Sequence, residues 1–214
     1  MYLAKTPAIL KTLFPRQVWN IPTTGKRLFL TFDDGPTQGI TDWTLDQLKS
    51  FGAKASFFLV GNNANKNPQL VERMLAEGHA IGNHTANHIN GWNTANIRYY
   101  RDIVDCEKSL SSFHQKVNLF RPPYGRITRS QTLRLAQRFK IIMWDVLSGD
   151  FDRNISGEQC LQNVLQHTAP GSIIVFHDSK KAAERMQYAL PKVLEHFTNE
   201  GFTFESLALE LPAA

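Results

Sequence analysis

From Arg27 onward, short apolar runs rich in Phe, Ile and Val alternate with longer segments of helix-like periodicity. This alternation is typical of βαβ units, in which helices cover a parallel sheet. The apolar runs predict strands near residues 27–32, 55–60, 80–83, 118–121, 139–147, 171–176 and 202–205. The segments between them predict helices at 41–51, 68–77, 94–113, 129–138, 156–168 and 181–198. Strands and helices in this order favour a closed or nearly closed α/β barrel over a doubly wound open sheet.

The length of 214 residues suits one domain. No internal repeat or linker divides the chain, so residues 1–26 are interpreted as an N-terminal extension to a domain at 27–214. The extension is interrupted by charged residues and proline and lacks the apolar core of a secretory signal, which predicts a cytoplasmic location. No segment is long enough to span a membrane.

A short helix is predicted after Pro7, with Ile9, Leu10, Leu13 and Phe14 on one face. Docking of this face against the bottom of the barrel is favoured over binding to a membrane surface, which stays the alternative.

The chain carries 24 Lys and Arg against 19 Asp and Glu, a formal charge of +5. This excess favours acidic surfaces weakly, and no basic run or nucleic-acid-binding motif accompanies it, so nucleic acid is not an expected partner. Cys106 and Cys160 lie in no metal-ligand spacing and are predicted to be reduced and structural.

Ionisable or metal-binding side chains follow apolar strands at five places. They are Asp33-Asp34 after LFLTF, His84 after Asn83, Arg121 after NLF, Asp150 after IIMWDVL, and His177-Asp178 after SIIVF. The carboxyl ends of barrel strands converge on one mouth, where barrel enzymes carry their chemistry. A structural protein has no physical reason to desolvate so many charges at one rim. The sequence therefore predicts an active site there.

His84 and His88 stand four residues apart in HTANH, so one helical turn would place both imidazoles on one side, within reach of a single cation. A third ligand is expected from the Asp33-Asp34 pair. The D-D-G-P segment also suits a surface turn. That interpretation explains the glycine and the proline, but two adjacent carboxylates repel each other unless a cation or an arginine neutralises them.

These motifs, in this order, resemble the polysaccharide deacetylase family that shares the NodB homology domain, carbohydrate esterase family 4. The family includes chitin, chitooligosaccharide and peptidoglycan N-acetylglucosamine deacetylases, and the match covers roughly residues 27–205. The resemblance implies a distorted (β/α)7 barrel with its catalytic domain at 27–214. It also implies a metal-dependent hydrolase that removes N-acetyl groups from amino sugars of a poly- or oligosaccharide, with one divalent ion, expected to be zinc.

The resemblance also assigns the metal-binding motifs. The first acid of T-F-D-D-G, Asp33, matches the catalytic base, and the second, Asp34, matches a metal ligand. His84 and His88 match the two metal-binding histidines of H-S/T-x-x-H.

The remaining motifs supply the groups around the base and the leaving group. Arg121 of R-P-P-Y matches the residue that orients the base, and the backbone N–H at Tyr124 matches a group that holds the tetrahedral oxyanion. His177 matches the general acid, and Asp150 matches the carboxylate that tunes it.

One motif departs from the family pattern. Where the family has D-x-x-D-W, this chain has Leu147 in place of the first Asp and Phe151 in place of the Trp that lines the acetyl pocket. Either aromatic ring can receive a methyl group, so the reaction type is expected to stay and the substrate preference to change. Asp145 competes with Asp150 for the tuning role if the strand ends early.

Two other functions remain open. The same machinery could act on a non-sugar or cyclic amide, or the chain could be a non-catalytic carbohydrate-binding module. A binding module would be expected to lose Asp33, a metal ligand or His177, and none is lost. Trp43 and Trp92 could stack on sugar rings, although packing in the core or at the rim is the commoner role. The oligomeric state is not specified.

Overall fold

The structure is a computed structural model that describes residues 3–113 and 117–207 of the chain. Nine strands lie in these ranges: β1 (Gln17–Val18), β2 (Arg27–Asp33), β3 (Ala55–Leu59), β4 (Ala80–Asn83), β5 (Leu119–Phe120), β6 (Lys140–Ile142), β7 (Val146–Leu147), β8 (Ile173–His177) and β9 (Thr203–Phe204). They form one sheet in the order β1-β6-β5-β4-β3-β2-β8-β7, with β9 beside β2, and every pair is parallel. The curved sheet and its helices form a distorted (β/α)7 barrel, as predicted.

Eight α-helices lie in the same ranges: α1 (Ala8–Leu13), α2 (Ile40–Ser50), α3 (Gly61–Lys66), α4 (Pro68–Ala76), α5 (Asn96–Ser111), α6 (Arg129–Leu135), α7 (Gly157–Leu165) and α8 (Ala183–Asn199). The six helices predicted after Arg27 are confirmed, with ends that differ by three residues or fewer. α3 was not predicted, because its sequence GNNANK contains mostly weak helix formers.

The two faces of β2 show how the fold positions the site. Alternate side chains of a strand point to opposite faces of the sheet. The side chains on one face pack in the apolar layer beneath the helices: Leu28, Leu30 and Phe32. On the opposite face, Phe29 lies in the apolar cluster inside the barrel and is followed by Thr31 and Asp33. The same alternation that builds the core therefore carries Asp33 to the barrel mouth.

The gap between β6 and β7 is closed by residues 4–21, here called the N-terminal seam. β1 pairs with β6, and two isolated antiparallel bridges join the seam to the region of β7 and β8. Four backbone hydrogen bonds complete the junction: Thr6 N to Asp145 O, Ile21 N to Gly171 O, Met143 N to Val18 O and Leu147 N to Ala4 O. The prediction of one strand at 139–147 is wrong, because the chain leaves β6 to bond with the seam before β7 begins.

Asp145 is the polar anchor of the N-terminal seam. Its carboxylate accepts hydrogen bonds from Lys5 at 2.7 Å, from Lys11 at 2.7 Å and from the Ser172 hydroxyl at 2.6 Å. Burial alone would raise the pKa of Asp145, but these three donors outweigh it and lower the pKa below its usual value. Asp145 is thus engaged by the seam and does not bond to His177.

The apolar face of α1 does not dock against the barrel. The helix forms after Pro7, as predicted, yet it buries none of its residues, and Ile9, Leu13 and Phe14 are 66%, 63% and 44% exposed. The docking prediction is wrong, because the segment is held by Lys5, Lys11 and backbone hydrogen bonds instead of apolar packing.

Three further predictions bear on the chain as a whole. Cys106 and Cys160 are both buried and free, as expected. Among the described helices, none combines the length and the apolar character needed to cross a bilayer. The division of the chain at residues 26 and 27 stays a prediction; residues 1–2 and the last seven residues of the predicted domain, 208–214, lie outside the described ranges.

Candidate active site

A cleft of about 550 Å³ lies at the carboxyl ends of the strands. It is lined by Asp33, Asp34, His84, His88, Tyr124, Gly125, Arg126, Trp144, Leu147, Phe151, Val175, His177 and Lys181. Arg121 and Asp150 are fully buried behind this lining. The structure therefore brings all eight predicted site residues to one end of the barrel.

Asp33 is held by a buried arginine. The Arg121 Nη1 group donates to Asp33 Oδ1 at 2.7 Å and to the Thr31 hydroxyl at 2.7 Å, and the other guanidinium nitrogens donate to two backbone carbonyls. The guanidinium also lies over the Phe58 ring, 4.2 Å from its centre. Burial lowers the pKa of Arg121, and the charge of Asp33 opposes that shift. The ion pair fixes the direction of the carboxylate at the base of the cleft.

Thr31 was missed at the sequence level. It lies two residues before Asp33 on the same strand, and the period of two in β2 places both side chains on the interior face. A polar residue at this spacing from the acid in LFLTFD was the available signal.

Asp34, His84 and His88 each offer one ligand atom, and these atoms lie within 4.8 Å of one another. Asp34 Oδ1 is 3.1 Å from His88 Nε2 and 3.8 Å from His84 Nε2. This oxygen is buried, and no donor hydrogen bonds to it. A buried carboxylate oxygen without a hydrogen-bond donor is costly unless a cation supplies the missing interaction. One carboxylate and two imidazoles are a donor set that suits zinc, so the residues present fit a divalent metal.

The hydrogen bonds of the two histidines leave the ring nitrogens that face Asp34 available. His84 Nδ1 donates to the Arg121 carbonyl at 2.7 Å, and His88 Nδ1 lies 3.1 Å from the Tyr124 hydroxyl. Burial lowers the pKa of His84 to about 4, so the ring is neutral at pH 7. Burial alone would raise the pKa of Asp34, but the neighbouring His88 and His177 outweigh it and lower the pKa below its usual range. A neutral imidazole and an ionised carboxylate are the forms that bind metals.

The backbone at the site is strained. Among the described residues, four that are not glycine have positive φ, and all four belong to the motifs at the mouth: Asp34, Thr85, His88 and Tyr124. Such conformations persist only where surrounding contacts impose them, and they cluster at functional sites. The prediction that His84 and His88 share a helical turn is wrong. A loop with two left-handed residues brings the imidazoles together instead.

Asp150 and His177 form the opposite wall. His177 Nδ1 lies 2.7 Å from Asp150 Oδ1, and its backbone N–H donates to the other carboxylate oxygen at 2.6 Å. Arg185 Nε donates to the Asp150 carbonyl at 2.7 Å, which fixes the loop. Burial lowers the pKa of His177, but the charge and hydrogen bond of Asp150, together with the charges of Asp34 and Asp33, outweigh burial and raise the pKa to about 9. His177 is therefore a cation at neutral pH, and its Nδ1 is occupied by Asp150.

The side chain of Asp178 supports the turn that carries the two acids. It accepts hydrogen bonds from the Gly35 N–H at 3.1 Å and from the Thr41 hydroxyl. A Cβ on Gly35 would lie 2.0 Å from Asp178 Oδ2. The glycine of D-D-G is therefore required by this close approach. Burial raises the pKa of Asp178 to about 7.

Comparison with known proteins begins with a match of residues 20–143 to the polysaccharide deacetylase family. A peptidoglycan-N-acetylglucosamine deacetylase of Bacillus cereus is 32% identical over 193 residues, which cover 89% of this chain and 90% of that protein. The chain belongs to the polysaccharide deacetylase family. A second Bacillus cereus protein of the same name is 38% identical over 182 residues, which cover 83% of this polysaccharide deacetylase and 66% of the relative.

A solved structure supports the same assignment. The peptidoglycan N-acetylglucosamine deacetylase in complex with 4-naphthalen-1-yl-N-oxidanyl-benzamide has a TM-score of 0.88 and 32% sequence identity, with 98% of each chain covered. The deacetylase fold thus extends over nearly all of this chain, including the part beyond residue 143.

Three cleft residues of this deacetylase were not predicted from the sequence: Arg126, Trp144 and Lys181. Arg126 lies two residues after Tyr124, so its place beside a functional motif was the available signal. Trp144 had no such signal, because the break after β6 sets its position. Of the two tryptophans singled out by sequence, Trp43 packs against the core, whereas Trp92 is 60% exposed.

Proposed function

We propose that this polysaccharide deacetylase is a zinc-dependent hydrolase that removes the acetyl group from N-acetylglucosamine residues of a peptidoglycan- or chitooligosaccharide-type glycan. The observation that carries the proposal is the buried Asp34 oxygen, which faces two imidazole nitrogens and has no hydrogen-bond donor. The named activity of the Bacillus cereus relatives supports the choice of substrate.

Asp34, His84 and His88 would hold the metal. When bound, zinc supplies a Lewis acid that polarises the acetyl carbonyl and makes water more acidic. The hydrogen bond from His84 to the Arg121 carbonyl fixes the ring orientation and tautomer that such a ligand needs.

Asp33 is proposed to accept the proton of the attacking water. Arg121 holds the Asp33 carboxylate in one direction by a hydrogen bond of 2.7 Å, and this arginine is itself held by Thr31 and two backbone carbonyls. A base whose direction is fixed before the substrate binds needs little reorganisation during proton transfer.

His177 is proposed to protonate the departing amine. Asp150 raises its pKa to about 9, which keeps the imidazole charged at pH 7. Because Asp150 occupies Nδ1, the proton leaves from Nε2. The backbone N–H at Tyr124, in a turn with φ of 61°, is proposed to stabilise the oxyanion.

Leu147 and Phe151 are proposed to form the wall for the acetyl methyl group. Phe151 lies edge-on to His177, with ring centres 5.3 Å apart, and Leu147 lines the same cleft. Both side chains are apolar, so an acetyl methyl gains free energy by burial against them. The departure from D-x-x-D-W therefore leaves an apolar wall.

Acetate release tests this proposal. Zinc-loaded protein would be incubated with N-acetylglucosamine oligomers, with peptidoglycan and with simple acetamides, beside Asp33→Asn protein as a matched control. We expect acetate from the amino-sugar substrates and about one zinc per chain by elemental analysis. Acetate from the simple acetamides alone, or none from fully loaded protein, would contradict the proposed substrate.

A further inference from the structure

We propose that Trp92 and Arg126 form a platform beside the cleft that binds the sugar next to the one being deacetylated, in a glycan strand that carries carboxylate groups. This inference rests on the proposed function and deepens it. Neither residue belongs to the motifs that assign the chemistry.

Trp92 is an exposed aromatic residue with a fixed orientation. Its side chain is 60% exposed, yet the indole N–H donates to the Ile127 carbonyl at 3.0 Å. Its backbone N–H is capped by the Asn90 side chain at 2.9 Å, in a single turn of 3-10 helix at Gly91–Asn93. An aromatic face that is already held in place loses little conformational entropy when a ligand stacks on it.

The turn that carries Trp92 is packed tightly against the segment of Arg126. A Cβ on Gly91 would lie 2.5 Å from the Arg126 carbonyl oxygen. The buried Gln131 side chain donates to the Gly91 carbonyl at 2.9 Å and accepts from the Thr128 N–H at 2.9 Å. The position of Trp92 is thus fixed relative to the loop that lines the cleft.

Arg126 connects the indole to the cleft. Its guanidinium carbon lies 5.3 Å from the centre of the Trp92 ring, within the range of a cation–π contact. The same side chain lines the cleft, two residues after Tyr124. A glycan strand that leaves the cleft on this side would meet an aromatic face and a cation together.

The charge of the cleft rim favours an acidic strand. Arg126 and Lys181 both line the cleft and both are exposed, and Lys181 lies over Phe151 at 5.8 Å, beside His177. The two acids that line the cleft, Asp33 and Asp34, are engaged by Arg121 and by the proposed metal. The exposed charges are therefore positive, and carboxylates on the glycan would be attracted to them.

The test compares substrates of different length and charge. Initial rates would be measured on neutral N-acetylglucosamine oligomers of two to six sugars and on oligomers that alternate with a carboxylate-bearing amino sugar. Trp92→Ala should raise KM on the longer oligomers about tenfold with kcat nearly unchanged, and change the disaccharide least. Trp92→Phe should restore most of the affinity.

Arg126→Gln should raise KM about tenfold on carboxylated oligomers and far less on neutral ones. The matched controls are Ile97→Ala and Arg129→Gln, which remove an exposed apolar group and an exposed cation that do not line the cleft. Both controls should match the unsubstituted protein at every oligomer length.

If Trp92→Ala raised KM equally on short and long oligomers, the proposed platform would be wrong. If Arg126→Gln raised KM equally on neutral and carboxylated oligomers, the proposed preference for an acidic strand would be wrong. Binding to the Asp33→Asn protein, measured by calorimetry, gives a readout that needs no turnover. Length-dependent binding there with no acetate from unsubstituted protein would support the platform while the proposed reaction fails.

Discussion

Two carboxylates with buried oxygens, at different places in the barrel, have opposite hydrogen-bonding environments. Asp145, which binds the N-terminal seam, has both carboxylate oxygens occupied by hydrogen bonds from Lys5, Lys11 and Ser172. Asp34 in the cleft has a buried oxygen to which no donor hydrogen bonds, although two imidazoles are near.

The contrast distinguishes a carboxylate that contributes to the stability of the fold from one that is available for function. A buried acid that the chain satisfies with its own donors stabilises the fold. A buried acid with an unsatisfied oxygen destabilises the fold until a partner from outside arrives. Substitution of one acid at a time should therefore have different consequences in the two regions.

The largest effect is expected from the acids in the cleft. Asp33→Asn should reduce kcat by about a thousandfold with zinc content unchanged, because a general base is lost and the ligands stay. Asp34→Asn should lose both zinc and activity, because a ligand is removed. Elemental analysis and acetate release measure the two quantities. Equal zinc loss in the two variants would remove the distinction between base and ligand.

A smaller effect is expected at Asp150, a buried carboxylate satisfied by His177. Because His177 must be protonated to act and Asp150 raises its pKa to about 9, activity should fall as pH rises through about 9. Asp150→Asn removes the largest contribution that raises this pKa and leaves those of Asp34 and Asp33, so the pKa of His177 should fall. The alkaline limb of kcat should then move to lower pH, and the maximum rate should drop about tenfold to a hundredfold. The zinc content of Asp150→Asn is the control and should be unchanged. An alkaline limb that moved to higher pH in this variant would exclude His177 as the general acid.

The smallest effect on catalysis is expected at Asp145. Asp145→Asn should lower the free energy of unfolding by about 1–3 kcal/mol, because two lysines lose their charged partner. It should leave kcat nearly unchanged, because the donors to this carboxylate, Lys5, Lys11 and Ser172, do not line the cleft. The pKa of Asp145 is lowered in the folded state, so its contribution is present above the unfolded value of about 3.9 and is lost as pH falls below it.

Urea unfolding at pH 7 and at pH 3 measures this contribution. The difference in the free energy of unfolding between the unsubstituted protein and Asp145→Asn should be smaller at pH 3 than at pH 7. A difference in unfolding free energy that was the same at both pH values would contradict the assigned role of the Asp145 charge. Loss of zinc from Asp145→Asn would show that the contacts of the seam also affect the cleft.

The sequence predicted the features that depend on neighbours along the chain. Asp33 and His177 each end a strand of mainly apolar residues, so the predicted positions of these strands also gave the positions of the two side chains. Where pairing is between distant segments, the prediction failed. Strand β1 has two residues, and only its hydrogen bonds to β6 make it a strand. Nothing near Asp145 in the sequence indicates that Lys5 and Lys11 are its partners.

In the active site too, local sequence predicted some features, whereas others depend on distant segments. The identities of Asp34, His84 and His88 followed from the motifs, whereas the backbone that brings them together did not. Left-handed conformations at residues other than glycine are only weakly indicated by residue type, since Asp and His adopt them more often than most, and the surrounding structure imposes them. The rigidity of Trp92 was hidden for a related reason, since the Ile127 carbonyl that accepts its indole N–H lies 35 residues away along the chain.

The N-terminal seam also affects how the chain reaches its native state. Lys11 and Asp145 are 134 residues apart, and Lys5 and His167 are 162 apart. Contacts of such high contact order require the closure of a long loop, so they are expected to form after the local βα units have assembled. Interactions absent from the folding transition state chiefly control the unfolding rate. Lys5 and Lys11 are therefore expected to lower the unfolding rate of the barrel and to leave its folding rate nearly unchanged.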